Sequence, residues 1–389
     1  MKRFIYISSA VFLMLTACSK DFNKLNIDPK NPSSAPSYAF FTNAQRQLTN
    51  TLTSANVNLN IFRLIVQQWQ ETQYPEESQY DIGTRQINDN MWTALYRDVL
   101  RDFEEAKNLI PKDVPDPAVQ KNELAITEIM EVYTYYYLVT TFGNVPYSEA
   151  LDIQKTFPKY DDAATIYNDL LIRLDKAIAN LDPASGSFGG ADILYGGNVA
   201  SWVKFGNSLK LKMGITIADS DPAKAKTVVE SAIAGGVFTS NADNAQFNYQ
   251  GAPPNTNPIW VDLVQSNRDD FVAATTIIDQ MLALNDPRID NYFTENEPGR
   301  ASDAVVSYSG AIPGLITAFA PSSHVNPAIT QPAFPALLLD WSEVEFYQAE
   351  AIERGLSVPG TAQSHYNNGI IASITYWGGT EAEAAAYIA

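Results

Sequence analysis

Cysteine occurs once in this chain of 389 residues, at position 18, and histidine twice, at positions 324 and 365. A lone thiol excludes an intramolecular disulfide and any site built from several cysteines, so packing has to hold the fold. His324 lies in a proline-rich stretch and His365 on a helical one. Between them they supply neither a His-rich metal centre nor a paired-imidazole relay, and His365 reads as a helix-surface or packing residue. The spacings His-Glu-x-x-His and Gly-x-Ser-x-Gly and the phosphate-binding P-loop are absent. No cofactor and no metal are expected. Basic residues are scarce too: 26 Lys and Arg stand against 44 Asp and Glu, a formal charge of −18. That sign repels a phosphate backbone and excludes nucleic acid as a partner. Past the N-terminus no apolar run is long enough to span a bilayer.

The N-terminus carries an apolar run, residues 4–15, behind Lys2 and Arg3, and it ends in Leu15-Thr16-Ala17-Cys18. The run is too short for a permanent membrane helix and has signal-peptide anatomy. Small residues leading straight into the sole cysteine fit a bacterial lipoprotein box. Residues 1–17 are therefore expected to be a lipoprotein signal peptide, and Cys18 the lipidated N-terminus of the mature chain. Two or three acyl chains, at ~0.8 kcal/mol per buried methylene, anchor stably where one does not. The alternative is an ordinary secreted protein in which Cys18 is incidental. Residues 18–36, rich in Asn, Pro and Ser, read as a lipidated tether leading the fold off the membrane.

Helical periodicity dominates the remainder, 37–389. Tyr38, Phe41, Ala44, Leu48 and Leu52 fall on one helical face, as do Leu59, Phe62, Val66 and Trp69. Trp92, Leu95, Val99, Phe103 and Ala106 form a third stripe, closed by Pro111. Residues 122–142 are apolar nearly all round, which predicts a helix buried on several sides. Further helices are expected from Ile166 to the Asp182-Pro183 stop, over Trp202, Phe205, Leu209, Met213 and Ile217, and from Asp221-Pro222 to Gly235-Gly236. Others should cover 270–284, 338–354 and 361–374. Ala163-x3-Tyr167, Ala225-x3-Val229 and Ala362-x3-Tyr366, with Trp92, Trp202 and Trp341 at another shared position, read as degenerate tetratricopeptide-like hairpins. Those three tryptophans are expected in the core. The fold class is all-α, with long loops over 71–91, 143–160, 182–198, 237–268 and 294–336 forming a binding face.

The loops carry Tyr74, Tyr80, Tyr249, Trp260 and Tyr308 among amides and charged groups that include Asn257, Arg268 and Asp270. Flat apolar rings beside hydrogen-bonding groups suit sugars, whose faces are C–H and whose rims are hydroxyls. These eight residues are the candidate ligand contacts. Each loop ring has a plainer reading as a pin for its own loop. The acidic residues are numerous, and a glycosidase pair needs only proximity in space, but nothing in the sequence marks one pair over another.

Several uncommon motifs coincide: Phe142-Gly143-Asn144-Val145-Pro146-Tyr147-Ser148-Glu149-Ala150, Asn207-Ser208-Leu209-Lys210, Asp286-Pro287-Arg288 with Tyr292-Phe293, residues 343–355, Tyr366-Asn367-Asn368-Gly369-Ile370, and Trp377-Gly378. Together with the lipobox they resemble the SusD/RagB family across essentially the whole chain, in particular its second, nutrient-binding lipoprotein branch. Ser19-Lys20-Asp21 resembles the surface-export signal of Bacteroidetes lipoproteins. The resemblance implies a cell-surface protein of the outer membrane that caps a SusC-like TonB-dependent transporter. Such a protein captures an oligosaccharide, or in some branches a peptide, for import and is not an enzyme. It also implies helices beyond Ala389, so the C-terminal part of the domain is expected to be incomplete. Two other functions compete: a surface glycoside hydrolase, and a helical-repeat adaptor that binds no nutrient.

Overall fold

An amphipathic helix has to cover its apolar stripe, and here the covering surface is usually the next helix in the chain. The computed structural model describes residues 34–295 and 307–389. Cys18, the signal peptide over 1–17 and most of the tether lie outside the described residues. In the unit spanning Ser37–Ala389 the main helices are α1 (Ser37–Thr53), α2 (Arg101–Asp113), α3 (Pro117–Phe142), α4 (Ala163–Asn180), α5 (Val199–Thr216) and α6 (Pro222–Gly235). After the loop-rich region come α7 (Thr275–Ala283), α8 (Trp341–Glu353), α9 (Ala362–Tyr376) and α10 (Glu381–Ile388). The tightest pairings are α1 with α2, α3 with α4, α5 with α6, and α8 with α9. The protein is mostly helical, in a tetratricopeptide-like arrangement of hairpins.

The helix starts follow from local chemistry. Asp116, Asp162, Asn198, Asp221 and Asp340 each accept a backbone N–H from the first turn that follows, and Thr361 forms a reciprocal box with Ser364. Prolines at 117 and 222 sit where a missing N–H costs nothing. The helix α3 is buried on all sides, from Ile126 through Val139. Trp202, on α5, is wholly buried, and its ring meets Phe205 edge-on at 5.3 Å while Nε1–H donates to Asp192 at 2.7 Å. Trp92 and Trp341 are only half-buried. Trp92 stacks on Tyr160 at 5.8 Å, and Trp341 donates to Glu345 at 2.8 Å. The shared repeat position is therefore core only in the central hairpin. Likewise Tyr167 and Val229 are buried whereas Tyr366 is exposed. His365 is held in place, with Nδ1 2.6 Å from Glu345 and Nε2 2.7 Å from the Pro359 carbonyl.

Two helix expectations fail for identifiable reasons. The stripe Leu59–Phe62–Val66–Trp69 breaks: only Phe62–Ile65 is helical, Gln67 takes a left-handed φ of 56°, and Trp69 enters a strand. That strand, β1 (Trp69–Glu71), pairs antiparallel with Phe271–Ala273, so the stretch expected to be helical from 270 starts as a strand and turns into α7 afterwards. In addition α2 runs through Pro111 to Asp113. Two other short antiparallel pairs occur: Val145–Pro146 with Tyr160–Asp161, and Gln246–Phe247 with Ala336–Leu337.

Two cores result. The larger fills the hairpins. The smaller one joins Trp69, Phe271, Ile278, Phe293, Val325 and Ile329 beneath the long loops. It supports the cleft described next.

Candidate functional site

A cleft of about 320 Å³ opens over the smaller core. A second lobe of about 330 Å³ adjoins it, sharing Ile329, Phe334, Pro335, Tyr376 and Trp377 as wall. Each lobe is within the range of small-ligand pockets. Its aromatic wall comes from the turn Ile289–Tyr292, the stretch running from Ile329 to Leu337, and the C-terminal end of α9, and stretches around Arg63, Gln68 and Asn257 complete it.

The aromatic wall is positioned from both sides. Arg288 is clamped by the Asp286 carboxylate, and its Nη1 donates to Ser373 on α9 at 2.8 Å. The guanidinium is held firmly charged by that partner despite burial. The clamp fixes the turn carrying Tyr292 to the helix that ends at Trp377, and the two rings meet edge-on at 4.6 Å. Trp377 caps α9, and Gly378 follows with φ of +90°, a conformation that favours glycine and ends the helix there. Phe334 lies nearly parallel to Trp377 at 5.9 Å. Burial raises the Tyr292 hydroxyl above its ordinary pKa; it raises that of Tyr376 to about 12, with the Asp340 charge adding to it. Both stay protonated and able to donate.

The polar part of the wall consists of amides and one cation. Gln68 and Asn257 line the first lobe, and Gln246 and Asn291 the second. The Asn257 amide is already committed: it donates to the Phe334 carbonyl at 2.8 Å and accepts the Ile259 N–H at 2.7 Å. Arg63 sits over the Trp69 ring at 5.2 Å and donates to the Thr53 and Ser54 carbonyls, both at 2.8 Å. Burial lowers its pKa to about 10. Among the described residues no group of three or more His, Cys, Asp or Glu is placed to hold a metal ion. Nor is any described helix long and apolar enough to cross a membrane.

Of the eight residues singled out from the sequence, only Asn257 lines this cleft. Tyr249 is buried against Phe247 at 4.5 Å, with its hydroxyl given to Asn50 at 2.9 Å, so it works as a pin. Trp260 is half-buried in the turn Pro258–Trp260, from which Ile259 rather than Trp260 reaches the cleft. Arg268 and Asp270 pair with each other at 2.6 Å. Tyr308 packs on the smaller core and donates to Asp290. Tyr74 and Tyr80 are exposed, as the sequence implied, and both have left-handed φ, 56° and 63°. Their loop forms a separate apolar surface with Ile312, Leu315 and Ile316, tied by a 2.7 Å bond from Gln79 to the Gly314 carbonyl. The sequence reading missed Arg63, Tyr292, Phe334, Tyr376 and Trp377 as site residues. For Tyr292, Tyr376 and Trp377 the signal was the adjacent aromatic pairs Tyr292-Phe293 and Tyr376-Trp377, and Arg63 and Phe334 carried none.

The family described as SusD-like, "starch-binding associating with outer membrane", matches residues 29–389. The chain belongs to that family. Among solved structures, this SusD-like chain is similar to a chitin-binding protein, with 25% identity, a TM-score of 0.79 and coverage of 90% of this chain and 79% of the other. It also resembles a chitin-binding SusD homologue from Flavobacterium johnsoniae, at 24% identity and a TM-score of 0.75, over 90% of this chain and 72% of that one. A SusD homologue from Bacteroides uniformis shares 26% identity, a TM-score of 0.70, and 89% and 73% of the respective chains. No curated protein matches the SusD-like sequence.

Proposed function

We propose that this SusD-like protein, acylated on Cys18 and held at the outer face of the outer membrane, captures an oligosaccharide. It then passes the sugar to a SusC-like TonB-dependent transporter without breaking a bond. The observation that carries the reading is the aromatic wall of Trp377, Tyr292 and Phe334 beside the amides of Gln68, Gln246 and Asn291. Rings supply apolar planes for sugar C–H faces, and amides orient hydroxyls. Membership of a family described as starch-binding, and structural relatives named as chitin-binding, support a glycan as ligand. Handover sets the affinity scale. Millimolar to micromolar binding is about −4 to −8 kcal/mol, and much tighter binding would slow release.

Affinity electrophoresis of the purified protein in gels containing starch, glycol chitin or polygalacturonate tests this. Trp377→Ala should weaken retardation by the polysaccharide that holds the wild type roughly ten- to thirtyfold, equivalent to about 1–2 kcal/mol. The thermal midpoint, measured in parallel, reports any loss from the half-buried ring. Equal retardation of the two proteins contradicts the assignment of this cleft, and sustained release of shorter sugars would make the protein a glycoside hydrolase instead.

A further inference from the structure

Among the described residues, Arg63 is the one ionic side chain on the wall of the cleft, apart from tyrosine hydroxyls. The chain contains 44 Asp and Glu, yet among the described residues none lines either lobe. Among the described residues no acidic group forms an ion pair with Arg63. Its hydrogen bonds go only to the neutral Thr53 and Ser54 carbonyls, and its face lies on Trp69. Asp262 favours its charge from beyond ion-pair distance, while its own Oδ2 accepts from Ser54 Oγ and the Ala55 N–H, both at 3.2 Å. A guanidinium has five N–H donors in a fixed fork, and two carbonyls leave donors over. A largely desolvated cation with no carboxylate in direct contact is costly to hold. An anionic group delivered by a ligand would relieve that cost, and a cleft cleared of acidic side chains would not repel it.

We propose that the sugar captured here carries a carboxylate, that is, a uronic acid residue, and that Arg63 reads it as a charged pair. This rests on the cleft being the glycan site. The neutral rings and amides would hold the rest of the chain, and Arg63 would choose acidic over neutral glycans. A protein of formal charge −18 repels polyanions at long range, so discrimination has to come from this local contact and should respond to salt.

The test uses calorimetry on the full chain with oligogalacturonate and oligoglucuronate, each as the free acid and as the methyl ester. Neutral malto- and chito-oligosaccharides and a peptide with a free C-terminal carboxylate complete the set. The expected result is binding of at least one acid form that falls tenfold or more on esterification, weakens in 0.5 M NaCl, and falls similarly in Arg63→Gln. Because Arg63 also holds the end of α1, Arg63→Lys serves as a second variant. It should retain part of the preference for acid over ester, with a thermal midpoint near wild type showing that the fold is intact. Binding of neutral oligosaccharides that esterification and Arg63→Gln leave unchanged would overturn the acidic-ligand proposal and keep the glycan site. Binding of the peptide alone would overturn both, and no binding of any acid form at millimolar concentration would overturn the proposal.

Discussion

Glu71 and Glu77 lie side by side beneath the loop that presents Tyr74 and Tyr80, and both are buried. Glu71 accepts the N–H and hydroxyl of Ser78 at 3.2 and 3.0 Å, and Arg85 reaches Glu77 at 3.2 Å. Burial, followed by the neighbouring Glu77, pushes the Glu71 carboxyl up to about 8. A carboxyl that titrates higher in the folded than in the unfolded chain holds its proton better when folded. Its stabilising effect is therefore fully present below about pH 4.5 and is lost as pH rises towards about 8. Glu71→Gln keeps an acceptor for Ser78 and cannot ionise. It should raise the thermal midpoint at pH 8.5 by an amount on the order of 1–2 kcal/mol of stability, and change little at pH 4. A variant no more stable than wild type at pH 8.5 would show that ionising Glu71 costs the fold nothing and that its carboxyl is not pushed up. At this scale the sequence was least readable. Tyr249 and Asn257 have the composition of ligand contacts, but one hydroxyl and one amide are consumed by Asn50, Ile259 and Phe334. Residue type records what a side chain can bond; only the fold decides what it does bond.

Hairpin packing depends on where the helices carry no side chain. A methyl added at Gly214 on α5 would lie 2.7 Å from a methyl of Val229 and 3.1 Å from one of Val228, both on α6. At Gly369 on α9 it would lie 2.9 Å from the Phe346 ring on α8. The Ala-x3 pattern in the sequence named the right helices for close approach. Ala225 is buried at such a contact, but Ala362 is only half-covered, and Gly369 makes the approach in that hairpin. Replacing Gly214 by Ala gains up to about 1 kcal/mol of helix propensity, whereas overpacking a tight contact costs about 1–3 kcal/mol. The Cβ would meet a short, branched side chain with little room to turn aside, so packing wins. Gly214→Ala should lower stability by about 1 kcal/mol in urea unfolding, and an unchanged or raised midpoint would mean that the helices can separate slightly at no cost. The long helices were legible because their stripes and caps are local. The region 59–73 was not, since its helical spacing is overridden by pairing of Trp69–Glu71 with a strand about two hundred residues away.

Across the whole molecule the hairpins provide rigidity, and a smaller core beneath the long loops supports the candidate site. The all-α reading and the division into helical scaffold and irregular face follow from periodicity alone. The site itself is assembled from Arg63, Tyr292, Phe334 and Trp377, far apart in sequence, and sequence spacing contains no term for such an assembly. Family motifs came nearer: Asp286-Pro287-Arg288 proves to be the clamp that brings the Tyr292 turn to α9. Two surfaces now compete for a glycan, the Trp377 cleft and the exposed Tyr74–Tyr80 loop. A crystal structure of the protein soaked with the oligosaccharide that it binds separates them. Sugar density against Trp377, Tyr292 and Phe334, within reach of Gln68 and Arg63, is the expected result; density stacked on Tyr74 or Tyr80, with that cleft empty, would contradict the proposed site.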